Sequence, residues 1–173
     1  IQRGVEELRL RAAEGPSISV QELRLPAVTC RMRRCVGHTI AEKYADMYDF
    51  YSECIRLGCV LSDEPIFAMS DRRDYLDGYI GDEPYPYWVC VPVRTEKAPA
   101  DAEVLPECRV LSVLYYGSYD DMDGAWLTLG REVKARGLTP AGFPRVLGIV
   151  APYTGREIEA RRYCSRIVLP VEG

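Results

Sequence analysis

VLPECRVLSVLYYGSYDDMDGAWLTLGREVKARGLTPAGFPRVLGIV, residues 104–150, reads as strand, helix, strand. A β-branched and leucine-rich run over 109–116 stops at Gly117. Asp120 and Asp121 then put negative charge where a helix macrodipole favours it, at an N-terminus. Met122, Trp126, Leu129 and Val133 recur at helical spacing as a buried stripe, Gly137 closes the helix, and Pro144 precedes a second apolar run.

The same punctuation stands earlier, in ELRLPAVTCRMRRCVGHTIAEKYADMYDFYSECIRLGCVLSDEPIFAM, residues 22–69. Leu25-Pro26 answers to Leu105-Pro106 and Gly37 to Gly117, each 80 residues on. Gly58 answers to Gly137 and Pro65 to Pro144 at 79, and Val91-Pro92-Val93 to Leu169-Pro170-Val171 at 78. Glycine and proline are placed by backbone geometry, so a drift of two residues over these boundaries points to a duplicated strand-helix-strand-strand unit.

Working outward, Ile1, Val5, Leu8 and Ala12 form one apolar stripe, and Gly15-Pro16 ends it, as at the end of a helix. Two readings of 1–15 stand: the end of a linking coiled-coil helix, or a short helix packed on its own domain. The chain starts at Ile1, which is what an excised or processed piece would show. Strands are expected at 19–25 and 28–36, then a helix at 40–57 capped by Thr39, with Ile40, Tyr44, Met47, Tyr51 and Ile55 as its apolar stripe. A strand is expected at 66–69, and the run YLDGYIGDEPYPYW over 75–88 holds five aromatic rings and leads into another. The polar segment 95–103 links a first half, 17–94, to a second, 104–173. Residues 151–160 read as a loop and 165–171 as the closing strand.

With 47% hydrophobic and 28% charged residues the 173-residue chain has ordinary globular composition. A net charge of −4 argues against a large nucleic-acid footprint in this part. Seven scattered cysteines with no Cys-x-x-Cys pair read as buried free thiols in a reducing cytoplasm. With a single histidine, His38, no metal site is expected, and no run is long enough to span a membrane.

Each unit offers a helix for one face of its strands. Two copies about a pseudo-twofold axis would make an α+β fold: one curved antiparallel sheet, two helices on one face, and a ligand cleft where the halves meet. The duplicated unit, LPxxRVLSVLYYGSY, GLxPxGxPRVLGI and the closing IVLPVE resemble the GyrI-like small-molecule-binding domain over about 17–172. That domain occurs alone and as the effector-binding part of AraC-type and MerR-type bacterial regulators, and the helix before it resembles the end of a MerR-type dimerisation helix. The resemblance implies a small-molecule effector held on aromatic side chains between the halves, with no cofactor. It also implies a homodimer through the N-terminal helix, and DNA contact only through a winged helix-turn-helix ahead of this chain. An acidic residue that selects lipophilic cations commonly stands four positions before the proline of the closing strand. Here Arg166 holds that position and Trp88 its first-half equivalent.

Ligand contact is therefore expected from Trp88, Arg166, Tyr87, Tyr85, Tyr115, Tyr116, Phe67 and Tyr153, with strand parity admitting only one of Tyr115 and Tyr116. Arg166 either faces the cleft or lies in solvent or against Glu157, Glu159 or Glu172, and Arg31 and Arg33 could add to a positive wall. Tyr44, Tyr51 and Trp126 are expected in the core. Three functions are weighed: effector sensing by a MerR-type regulator, hydrolysis by a pocket carboxylate and tyrosine, and binding of a partner such as gyrase. With no carboxylate evident in the cleft, no catalytic residue is assigned.

Overall fold

The computed structural model describes residues 19–37, 39–71, 84–154 and 158–173. The expected helix at 1–15, His38, and Tyr75 and Tyr79 of the aromatic run lie outside them. The strands are β1 (Val20–Leu25), β2 (Val28–Gly37), β3 (Phe67–Met69), β4 (Tyr85–Pro92), β5 (Glu103–Leu105), β6 (Cys108–Tyr116), β7 (Thr139–Pro140), β8 (Arg145–Val150) and β9 (Cys164–Glu172). The helices are α1 (Ile40–Arg56) and α2 (Asp123–Ala135).

The fold is the α+β arrangement the duplication implied. Eight strands form one antiparallel sheet in the order β1-β6-β9-β8-β3-β4-β2-β5, and the short β7 pairs with β9. Exchanging β1 with β5, β2 with β6, β3 with β8 and β4 with β9 turns that order into its own reverse. The sheet thus has an internal twofold lying between β3 and β8, where Ala68 pairs with Val146. β1 does not pair in its own half: it runs along β6, from Val20 opposite Val113 to Leu25 opposite Cys108. β5 in turn runs along β2. The links Pro26-Ala27 and Pro106-Glu107 are too short to cross a flat sheet, so the two ends of the sheet curl toward each other.

One face of the curled sheet carries the helices. Under α1 lie Tyr87, Val89 and Val91 of β4 with Met47, Phe50 and Cys54 of the helix. Under α2 lie Leu111, Val113 and Tyr115 of β6, Ile167, Leu169 and Val171 of β9, and the expected stripe Met122, Trp126, Leu129, Val133. The opposite face closes on Cys30, Phe67, Met69, Cys90, Val110, Leu147 and Val168, with Leu23, Leu25 and Leu105 of the edge strands packed against them. Burying each such side chain contributes about 1.5–3 kcal/mol.

The helix ends follow the sequence signals. Thr39 accepts from the Glu42 backbone N–H at 3.1 Å and Glu42 accepts from that of Thr39 at 3.3 Å, a reciprocal cap. Gly58 and Gly137 follow the two helices at φ 76° and 65°. The inner stripe of α1 is rotated from the expected one: Met47, Phe50 and Cys54 are buried while Ile55 is 49% exposed. The guanidinium groups of Arg31 and Arg33 lie over the Phe50 ring, 5.3 and 4.6 Å from its centre, which seats that ring on the sheet.

Candidate functional site

Because α1 covers β2 and β4 while α2 covers β6 and β9, the central strands β3 and β8 lie between the two helices. A cleft of about 790 Å³, counted to its open mouth, lies there. Ala68 and Val146, the pair on the twofold, form its floor. One wall is Ile40, Lys43 and Met47 of α1 with Tyr85 and Tyr87 of β4, and the other is Tyr119, Met122 and Trp126. Met69, Ser70 and Pro144 close the strand ends. The lining is chiefly apolar, as that of small-molecule sites is.

The walls are related by the duplication. At the helix offset of 79, Lys43 corresponds to Met122 and Met47 to Trp126. At the closing-strand offset of 78, Tyr85 corresponds to Tyr163 and Tyr87 to Ser165. The two halves therefore build the same wall from different chemistry, and the charge falls on one side.

On that side Lys43 Nζ donates to Tyr85 Oη at 2.6 Å and lies 4.4 Å from the centre of its ring. Tyr87 Oη donates to Asp46 Oδ2 at 2.7 Å. Burial, with the adjoining carboxylate, pushes the Tyr87 phenol far up. Gly37 makes this packing possible: a β-carbon there would stand 2.8 Å from Tyr87 Cε1 and 3.0 Å from Lys43 Cγ.

Across the cleft, Tyr119 packs edge-on against Tyr44 of α1 with ring centres 5.0 Å apart, and its backbone N–H donates to Tyr44 Oη at 3.4 Å. Tyr153 and Tyr163 flank Tyr44 at 6.5 and 6.2 Å. Burial raises the Tyr44 phenol to about 12. Beneath this cluster Tyr119 Oη and Ser165 Oγ are buried with no hydrogen bond of ordinary geometry among the described residues.

Of the residues expected at the ligand, Tyr85 and Tyr87 line the cleft. Tyr115 and Tyr153 lie on the helix face but inside the core, where the Tyr115 hydroxyl donates to the Ser118 carbonyl at 2.8 Å and that of Tyr153 to Ile66 at 3.4 Å. Trp88, Phe67 and Arg166 point to the opposite face, because alternation along β4, β3 and β9 gives the helix face to Tyr87, Ala68 and Ile167. Trp88 stacks on Phe143 at 5.9 Å, and Arg166 donates to Ser112 Oγ at 2.8 Å. Tyr116 shares the parity of Ser112 and so that same opposite face. Arg31 and Arg33 belong to the outer flank of α1, paired with Asp101, Asp49 and Glu53.

The lining residues that strand parity missed come from the starts of the helices, Ile40, Lys43, Met47, Met122 and Trp126, and from the central strands and the turns beside them. Trp126 sits on the α2 core stripe as expected and is also a cleft wall. The offset of 79 was the usable signal, since it pairs Met47 with Trp126 and marks both as twofold-related.

This palindromic sheet with two helices and an axial cleft is a two-module α+β fold of the kind that the GyrI-like resemblance implied. No family model matches the chain, and no curated protein does. Among solved structures it is similar to EcmrR in a DNA complex seen by cryo-electron microscopy, with a TM-score of 0.76, 17% identity, 98% of this chain covered and 63% of that one. It is also similar to the EcmrR C-terminal domain, with a TM-score of 0.74, 16% identity, and 90% and 98% covered. A hydrolase from Listeria innocua gives 0.56 at 8% identity, with 96% and 98% covered. SAV2435 bound to tetraphenylphosphonium gives 0.52 at 13% identity, with 90% and 94% covered. The chain thus spans under two thirds of the DNA-bound EcmrR chain and nearly all of its C-terminal domain. Among the described residues no helix is long and apolar enough to cross a membrane.

Proposed function

We propose that the chain is the effector-binding domain of a bacterial, cytoplasmic MerR-type transcriptional regulator, and that it holds an aromatic or lipophilic small molecule in the axial cleft. The observation that carries this is the cleft's position: its floor is the Ala68–Val146 pair on the twofold, and each wall belongs to a different half. A ligand there touches both modules, so its binding energy can favour one relative placement of them over another. The DNA complex of EcmrR, a longer chain of similar structure over this part, supports a role in which DNA is held outside this domain. Dimerisation through an N-terminal helix is part of the same proposal. A range of related compounds, as in multidrug sensing, suits walls with flexible Met47 and Met122.

The test fills the floor. Ala68→Phe puts a ring into the cleft, and should abolish binding of a neutral aromatic such as 1-naphthalenemethanol by isothermal titration calorimetry while the circular dichroism spectrum stays unchanged. Undiminished binding by this folded variant would refute the reading.

A second reading, hydrolysis, is favoured by the Tyr87–Asp46 hydrogen bond beside the cleft and by the hydrolase-named neighbours. Against it, Tyr87 is only 2% exposed, and a phenol made less acidic by burial is a poor proton donor. Turnover of activated aryl esters that is lost in Asp46→Asn would establish it.

A further inference from the structure

The cleft's two walls are copies with one difference in charge: Lys43 stands where the other half has Met122. Among the described lining residues Lys43 is the one charged side chain, and no carboxylate is among them. Its stem rests on Gly37, and its ammonium donates to Tyr85 Oη, leaving further N–H donors to aim elsewhere. No described carboxylate pairs with it. Asp46, one turn along α1, is engaged by the Tyr87 hydroxyl instead. A half-buried ammonium with a phenol for partner has no counter-charge among the described residues, and an anionic group arriving in the cleft would supply one.

We infer that the cleft selects planar aromatic anions, with a carboxylate or phenolate on the Lys43–Tyr85 end and the ring between Met47 and Trp126. This rests on the cleft being the effector site and adds the charge of the effector. A lipophilic cation is disfavoured here, since its charge would meet a like charge in a confined space with no carboxylate in the described lining.

Three probes of one ring and different charge test it: 1-naphthoate, 1-naphthalenemethanol and 1-naphthylmethylammonium, titrated at pH 7 into wild type and Lys43→Met. Wild type should bind the carboxylate tightest and the ammonium weakest, with roughly tenfold between carboxylate and alcohol, the scale of one charge-assisted hydrogen bond. Lys43→Met should remove that gap, bringing the carboxylate's affinity down to that of the alcohol. An ammonium bound as tightly as the carboxylate, or a ranking unchanged in Lys43→Met, would overturn the charge assignment while alcohol binding left the cleft in place. Failure of all three to bind at millimolar concentration would remove both.

Discussion

Gly148 shows how much one carbon decides in this chain. A β-carbon there would stand 1.7 Å from Tyr153 Oη, 2.7 Å from Cζ and 3.0 Å from Ala151 Cβ, and Tyr153 is 1% exposed and cannot swing aside. Gly148→Ala should therefore cost about 3 kcal/mol or more in urea denaturation. Adding Tyr153→Phe, which deletes the nearest atom, should recover part of it, and additive losses would mean the two sites are independent. Single residues also mark where the sequence could and could not be read. Tyr85 and Tyr87 were legible because they lie in an aromatic run on a strand, and both reach the cleft. Trp88, in the same run, was not separable from them until the face was known. Strand alternation fixes that two neighbours diverge, but not which of them the helix covers. Arg166 is marked by its place four residues before Pro170, which does not say which face of β9 it takes.

At the scale of the element, α1 carries one cleft wall on its first turns and a core stripe on its inner face. Its limits were plain from Thr39 and Gly58, because caps are local chemistry. Its rotation was not, because Tyr44, Met47, Phe50, Tyr51 and Cys54 give an apolar arc wider than one stripe, and the choice within it depends on what β2 lays over Phe50. The same helix meets the second half through Tyr44. With its phenol raised from 10 to about 12 by burial, the folded state keeps this proton in a pH window where the unfolded chain has lost it. The share of stability that Tyr44 contributes is then constant below pH 10 and falls as pH rises toward about 12. Tyr44→Phe should make the alkaline fall shallower by one proton in denaturation curves taken across the window, while buried tyrosines such as Tyr87 keep their share. An equally steep fall in the variant would show that Tyr44 is not buried between the halves.

For the whole molecule, the duplication was readable because glycines and prolines kept their spacing through two divergent copies, and a repeated unit of this kind implies a twofold and a cleft upon it. The exchange of β1 and β5 between halves was not readable. Pairing partners of edge strands are settled by where the curled sheet brings its ends, and both strands carry the same alternation whichever neighbour they take. The central claim is that the effector sits on the helix face over the twofold. The chain's two tryptophans lie on opposite faces, Trp126 in the cleft wall and Trp88 against Phe143 beyond the sheet. Fluorescence quenching by a bound aromatic compound, measured in Trp88→Phe and Trp126→Phe, reads the face directly. Quenching should persist in Trp88→Phe and vanish in Trp126→Phe, whereas quenching that follows Trp88 would place the ligand on the other side of the sheet and contradict the account.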